Sequence, residues 1–133
     1  MTSAGGGDEA VLADTSVFIA LEQHRPVSHR SAQISVSVIT IGELRLGVLA
    51  AHDSPTRIRR LETLTAAMRL EPLPIDERVS HAWAALRVAL RDAGRRMPIN
   101  DSWIAATAIA HDMALVSQDA DYDDVPDLHV IRV

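Results

Sequence analysis

Cysteine is absent from the 133 residues, which excludes disulfides, zinc–thiolate centres and a thiol nucleophile. Lysine is absent too: all 13 basic residues are arginine, as codon bias in a GC-rich genome would produce. Aromatic residues make up only 3%, so any core must be built from Leu, Val, Ile and Ala. No apolar run approaches the ~20 residues of a membrane span. Met1 to Gly7 lacks the basic and apolar regions of a signal peptide, so a cytoplasmic protein is expected. What is present is a chain 47% hydrophobic and 23% charged, enough to bury a proper core and resist disorder. The length fits one domain over 1–133, with 1–9 as a flexible lead-in.

A formal net charge of −5 argues against a nonspecific polyanion binder, which is usually basic. The charges are unevenly placed, however. Aspartates crowd between 119 and 127, whereas arginines cluster at Arg57, Arg59, Arg60 and at Arg87, Arg91, Arg95, Arg96.

Strands alternate with helices along the chain. Residues 10–13 form an apolar run, a buried first strand ending in Asp14, and Ser16 is placed to cap a short helix through Leu21. Ile34-Ser35-Val36-Ser37-Val38 alternates strictly and predicts strand two; Thr40 then opens a helix to about Ala51. Ser54-Pro55 starts a helix with Ile58, Leu61, Leu64, Thr65 and Met68 at helical spacing. The prolines within 70–75 restrict any strand there to a short or edge one. Asp76 caps a long helix stopping at Gly94, and another begins near Asn100 or Asp101. Residues 113–116 and 128–133 read as the last strands. The pattern implies an α/β fold with a mostly parallel sheet.

Acidic residues stand where predicted strands or loops hand over to helices: Asp14, Glu43, Asp101 and Asp119. In an open parallel sheet those handovers converge on one edge, where sites form. Gathered carboxylates repel one another unless a cation lies between them, and oxygen-only clusters select hard cations such as Mg2+ or Mn2+. Each residue also has a structural alternative. Asp14 could cap the first helix. Thr40-Ile41-Gly42-Glu43 matches the S/T-x-x-E capping box, with Gly47 leaving space beside Glu43. Asp101 suits a helix's positive end, and Asp119 lies in a turn-rich run. As a set they point to metal-dependent chemistry on a phosphate ester.

The segments Leu12-Ala13-Asp14-Thr15-Ser16, Thr40-Ile41-Gly42-Glu43-Leu44, Pro98-Ile99-Asn100-Asp101-Ser102-Trp103 and Leu115-Val116-Ser117-Gln118-Asp119-Ala120-Asp121-Tyr122 occur in one order. In that order the chain resembles PIN-domain proteins, specifically the VapC-type toxin ribonucleases, over 11–133. The resemblance implies a single PIN-like domain with a sheet of about five strands flanked by helices, Mg2+- or Mn2+-dependent endoribonuclease activity on RNA, neutralisation by a small VapB-like antitoxin, and a homodimer. Asp14, Glu43 and Asp101 match the family's acidic positions, and Asp119 matches a fourth that varies between Asp and Asn. Asp121-Tyr122 is a shortened form of the family's Asp-aromatic ending, so Asp121 shares or replaces the role of Asp119. Ser16 and Ser117 match hydroxyl positions near the metal.

The expected chemistry is metal-assisted hydrolysis, with Asp14 and Asp101 as first choices for direct ligands. A phosphotransferase using Asp14 as nucleophile is the enzyme rival, but receiver and dehalogenase-like families place a lysine in the site and this chain has none. The non-enzyme alternative is an inactive PIN-like module that binds RNA or protein.

Overall fold

A computed structural model describes residues 9–27 and 33–133. The expected lead-in lies outside the described residues, apart from Glu9. Strand β1 (Ala10–Ala13) leads into α1 (Thr15–Glu22), and β2 (Gln33–Ser35) into α2 (Val38–Leu49). Helices α3 (Ser54–Met68), α4 (Glu77–Asp92) and α5 (Ile99–Ala110) follow. The chain closes with β3 (Ala114–Ser117), a 3-10 turn (Ala120–Tyr122) and β4 (Val130–Arg132). The sheet is wholly parallel in the order β2-β1-β3-β4, with Leu12 opposite Ser35 on one side and Leu115 on the other.

Four strands stand where about five were expected among the described residues. The proline-rich stretch contributes only a one-residue parallel bridge between Leu73 and Ser37. Leu73 donates to the Val36 carbonyl and accepts from Val38 N–H, at 2.8 and 2.9 Å. Pro72 and Pro74 lack the N–H groups a longer ladder would use. Strand β2 is also shorter than its alternation predicts, because Ser37 already caps α2, its Oγ accepting from Ile39 N–H at 3.0 Å. The helix therefore begins before Thr40.

The pleat sorts side chains into two cores. Val11 and Ala13 of β1 and Val116 of β3 face α1, α2 and α3, joining Val17, Phe18, Leu44 and Leu64. Leu12 and Leu115 face the other way, joining Leu86 and Leu90 of α4 and Ile104, Ala105 and Ala108 of α5. A sheet covered on both faces explains why β1 and β3 read as continuous apolar runs. Each fully buried Leu contributes roughly 1.5–3 kcal/mol. Helix α3 departs from its pattern. Leu64 and Ala67 are buried, while Ile58, Leu61 and Met68 remain 56%, 48% and 43% exposed.

Helix ends follow local chemistry. Asp53, rather than Ser54, caps α3, and Asp76 caps α4 as expected, their carboxylates accepting from Thr56 and Val79 N–H. Gly94, at φ +69°, ends α4 in a left-handed turn that returns the Arg95 N–H to the Leu90 carbonyl. That turn delivers the chain to α5.

Candidate active site

Because every strand is parallel, the residues that follow β1 and β3 meet the first turns of α1 and α5 at one edge of the sheet. Asp14 directly follows β1 and is 3% exposed. It occupies the cap position of α1, yet its side chain makes no cap bond. Instead Ser16 Oγ donates to Oδ1 at 2.6 Å and Ser117 Oγ donates to Oδ2 at 3.0 Å. Ser16 is thus not the cap expected of it. Each serine hydroxyl has one proton and gives it to Asp14, so the 3.4 Å between the two Oγ atoms is a contact without a bond. Both also accept main-chain donors, Ser16 from Gln118 N–H and Ser117 from Asp119 N–H. Hydroxyls from opposite ends of the chain thereby lock β1 to the turn after β3. Burial raises the Asp14 pKa, the two serines oppose that rise, and the charge of Asp119 adds to it.

Glu43 is the sixth residue of α2 and not at the third, so the capping-box alternative does not describe it. Its Oε1 accepts from Thr15 Oγ1 at 2.5 Å, and its Oε2 lies 3.4 Å from Asn100 Nδ2. With its proton committed to Glu43, Thr15 accepts from Thr40 Oγ1 at 3.0 Å. Thr40, the supposed cap, is a buried member of this chain. Gly47 does not serve Glu43 either: its carbonyl accepts from Arg60 of α3 at 2.7 Å.

Asp101 sits in the first turn of α5, whose cap position is held by Pro98 rather than Asn100. Its carboxylate oxygens come together with those of Asp119 and Asp121, one from each lying within 4.8 Å of the others. Both Asp119 and Asp121 stand in the cluster with Asp101. Asp119 also accepts from Asp121 N–H at 2.9 Å, capping the 3-10 turn. Asp14 and Glu43 lie outside this trio but within its electrostatic reach. Burial pushes the Asp101 carboxyl up to about 6; the neighbouring Tyr122 hydroxyl works against the rise, and the charges of Asp119, Asp121 and Glu43 add to it.

Tyr122, the aromatic of the Asp121-Tyr122 ending, is not among the expected site residues. It is fully buried, and its hydroxyl lies beside Asp101 without closing a hydrogen bond in good geometry. Burial, then the charges of Asp14 and Asp101, push its phenol far above the ordinary tyrosine range, so it stays a neutral donor. Thr15 and Thr40 were missed as well. The only sequence signal for Thr15 was its place beside Asp14.

Three comparisons bear on this arrangement. The PIN domain family model matches residues 11–128. Ribonuclease VapC4 of Mycobacterium tuberculosis is 55% identical over 124 residues, covering 92% of this chain and 95% of that relative. Ribonuclease VapC5 of the same organism is 40% identical over 129 residues, covering 93% and 96%. The crystal structure of VapBC-5 from M. tuberculosis, a member of the VapBC family of toxin-antitoxin systems, superposes with a TM-score of 0.83. It is 39% identical and covers 93% of this chain and 98% of that one.

Proposed function

The chain belongs to the PIN domain family, and from that premise we propose that it is a Mg2+-dependent endoribonuclease, the toxin of a cytoplasmic toxin–antitoxin pair. The observation that carries the reading is the convergence of Asp101, Asp119 and Asp121, with Asp14 and Glu43 beside them, at the strand-end edge of a parallel sheet. The residues fit a hard divalent cation. The donors are all oxygen, and Asp14 and Asp101 are pushed up by burial first and by neighbouring carboxylates second, a cost that a cation would offset. Mn2+ is the natural substitute on the same donor set.

Asp101, Asp119 and Asp121 are the residues assigned to hold the ion. When bound, it supplies Lewis acidity towards a phosphodiester and the water that attacks it. Asp14, fixed by two serines, keeps a buried charge behind the trio and draws the cation inward. Glu43, fixed through Thr15 and Asn100, is assigned to orient the attacking water. Tyr122 offers a buried, uncommitted hydroxyl beside Asp101 that can donate to that carboxylate. With the acidic charge offset, a polyanionic substrate can enter a protein of net charge −5.

Purified protein incubated with total RNA is expected to generate new internal ends with Mg2+ and none with EDTA, read by end mapping. Intact RNA under both conditions would remove the nuclease reading. The likeness to VapBC-5 supports a VapB-like partner for this chain, and a homodimer is proposed with it. No helix among the described residues is long and apolar enough to cross a membrane. Expression of the chain alone is therefore expected to stop growth in liquid culture, and co-expression of the small protein encoded beside it to restore growth. Unchanged growth at high levels of folded, RNA-cleaving protein would leave a nuclease that is not a toxin.

A further inference from the structure

The arginines that this mechanism leaves unused gather where α4 turns into α5. Arg87, Arg91, Arg95 and Arg96 line an open cleft of about 540 Å³ floored by Leu90 and Met97. In a chain whose formal net charge is −5, this is a local reversal of sign. Two of the arginines are tied to main chain: Arg87 Nη1 donates to the Met97 carbonyl at 3.1 Å and Arg95 Nη1 to that of Asp124 at 2.7 Å. The other two are not. Arg91 meets only its neighbour Asp92, at 3.3 Å, with the side chains 75% and 66% exposed, a solvated pair of little strength. Arg96 is exposed and its side chain makes no hydrogen bond or ion pair among the described residues. Fold stability does not account for these two charges.

The cleft and the acidic site are joined by a short stretch of chain. Met97 precedes Asp101 by four positions, so their Cα atoms lie within ~14 Å even if the chain were fully extended. The same corner carries a flat aromatic pair. Trp83 and Trp103 stack with centroids 4.2 Å apart and planes 5° from parallel. Arg87 lies 6.0 Å from the Trp83 ring centroid, and Trp83 Nε1 donates to Ser102 Oγ at 3.0 Å. Arg87 thus joins the cleft to the aromatic pair; Trp103 stands two residues beyond Asp101 on α5, about 200° round the helix from it. Guanidinium groups beside partly open aromatic faces are the components of single-strand recognition, with charge tracking the backbone and π surfaces meeting bases. A protein partner would instead be expected to bury an exposed apolar centre, whereas Leu90 and Met97 are already buried.

We propose that this cleft is the backbone track for single-stranded RNA approaching the acidic site, with Arg91 and Arg96 contacting phosphates beside the scissile bond. The proposal rests on the endoribonuclease reading and adds where its substrate lies. Arg87 and Arg95 hold the turn and add to the field.

The test is binding of a labelled, single-stranded RNA oligonucleotide in EDTA, over a series of salt concentrations. The proteins compared are the wild type, Arg91→Ala/Arg96→Ala, and a charge-matched control, Arg59→Ala/Arg69→Ala, two exposed arginines on α3 and at its C-terminal cap. Loss of two phosphate contacts should make the slope of log K against log salt shallower by about 1.4, at ~0.7 per contact on a single strand. Affinity at about 0.1 M salt should fall on the order of tenfold, with the control close to wild type. If the wild type cuts RNA with Mg2+ and the cleft variant keeps its Kd and slope, the track lies elsewhere and this inference falls alone. If the slope drops but no RNA is cut, the nuclease reading falls and the cleft stands as an RNA-binding surface. An equal loss in the control overturns the inference in favour of net charge. Unchanged RNA binding with lost capture of the co-expressed antitoxin assigns the cleft to protein and overturns it as well.

Discussion

Asp101→Asn is expected to abolish Mg2+-dependent RNA cleavage while leaving the protein folded. The substitution keeps the size and planarity of the side chain but removes the charge from the centre of the trio that includes Asp119 and Asp121. Disturbing groups that merely support metal ligands costs 10–100-fold in affinity or activity, so loss of a direct ligand should exceed about 100-fold. The structural cost is small: a carboxylate in the first helical turn is worth about 0.3–1 kcal/mol, and Asp101 provides no cap for α5. Asp14→Asn and Glu43→Gln should fall with it. Glutamine at 43 can still accept from Thr15 and retains the shape, so its effect isolates the charge. Initial rates on a labelled RNA, with far-UV circular dichroism of each variant, provide the measurement. A folded Asp101→Asn enzyme cutting within a few-fold of the wild-type rate would remove Asp101 from the metal site. A normal rate for Glu43→Gln would leave Glu43 as a bridge between α2 and α5.

The legible and illegible parts of this site differ in how far apart their partners lie. Asp14 was readable because a carboxylate ending an apolar strand gains nothing from the core, and parallel topology dictates where that strand end must lie. Asp101 was readable for a similar reason, at the start of a helix whose Ala105 and Ala108 pack on the sheet. Glu43 was obscured by a local resemblance: Thr40 and Glu43 have capping-box spacing, but Ser37 starts the helix and moves Glu43 out of the first turn. Periodicity could not separate these cases, since α2 is flanked by serine and threonine at both candidate starts. The hydroxyl lattice was out of reach altogether, because Ser117 reaches Asp14 across 103 positions of sequence. Tyr122 was legible only as the aromatic of the last family segment, and the fold brings its phenol beside Asp101. The apolar stripe on α3 misled in another way, as its spacing is helical but Ile58 and Leu61 find no covering layer among the described residues.

The same charges that await a cation should make the metal-free protein less stable as pH rises, and Mg2+ should reverse this. An unfolded aspartate titrates near ~4, whereas Asp101 in the fold is pushed up to about 6, and Asp14 is raised as well. A raised folded value means that the native state binds more protons than the unfolded chain between the two values. Stability then falls with increasing pH across that window. The contribution is full below ~4 and lost as pH passes through about 6. Mg2+ held as proposed by the ionised native site should stabilise it by about 2.7 kcal/mol at a free concentration 100 times its Kd. The effect should be larger at pH 7 than at pH 5, where protons compete for the same oxygens. Asp101→Asn removes one repelling charge: without metal it should melt a few °C above wild type at pH 7, close to wild type at pH 4, and respond little to Mg2+ at either. Melting temperatures of both proteins with EDTA or Mg2+ across this range test the scheme. Equal Mg2+ responses in the two proteins would mean that Asp101 serves the helix dipole, and that the trio shares no ion.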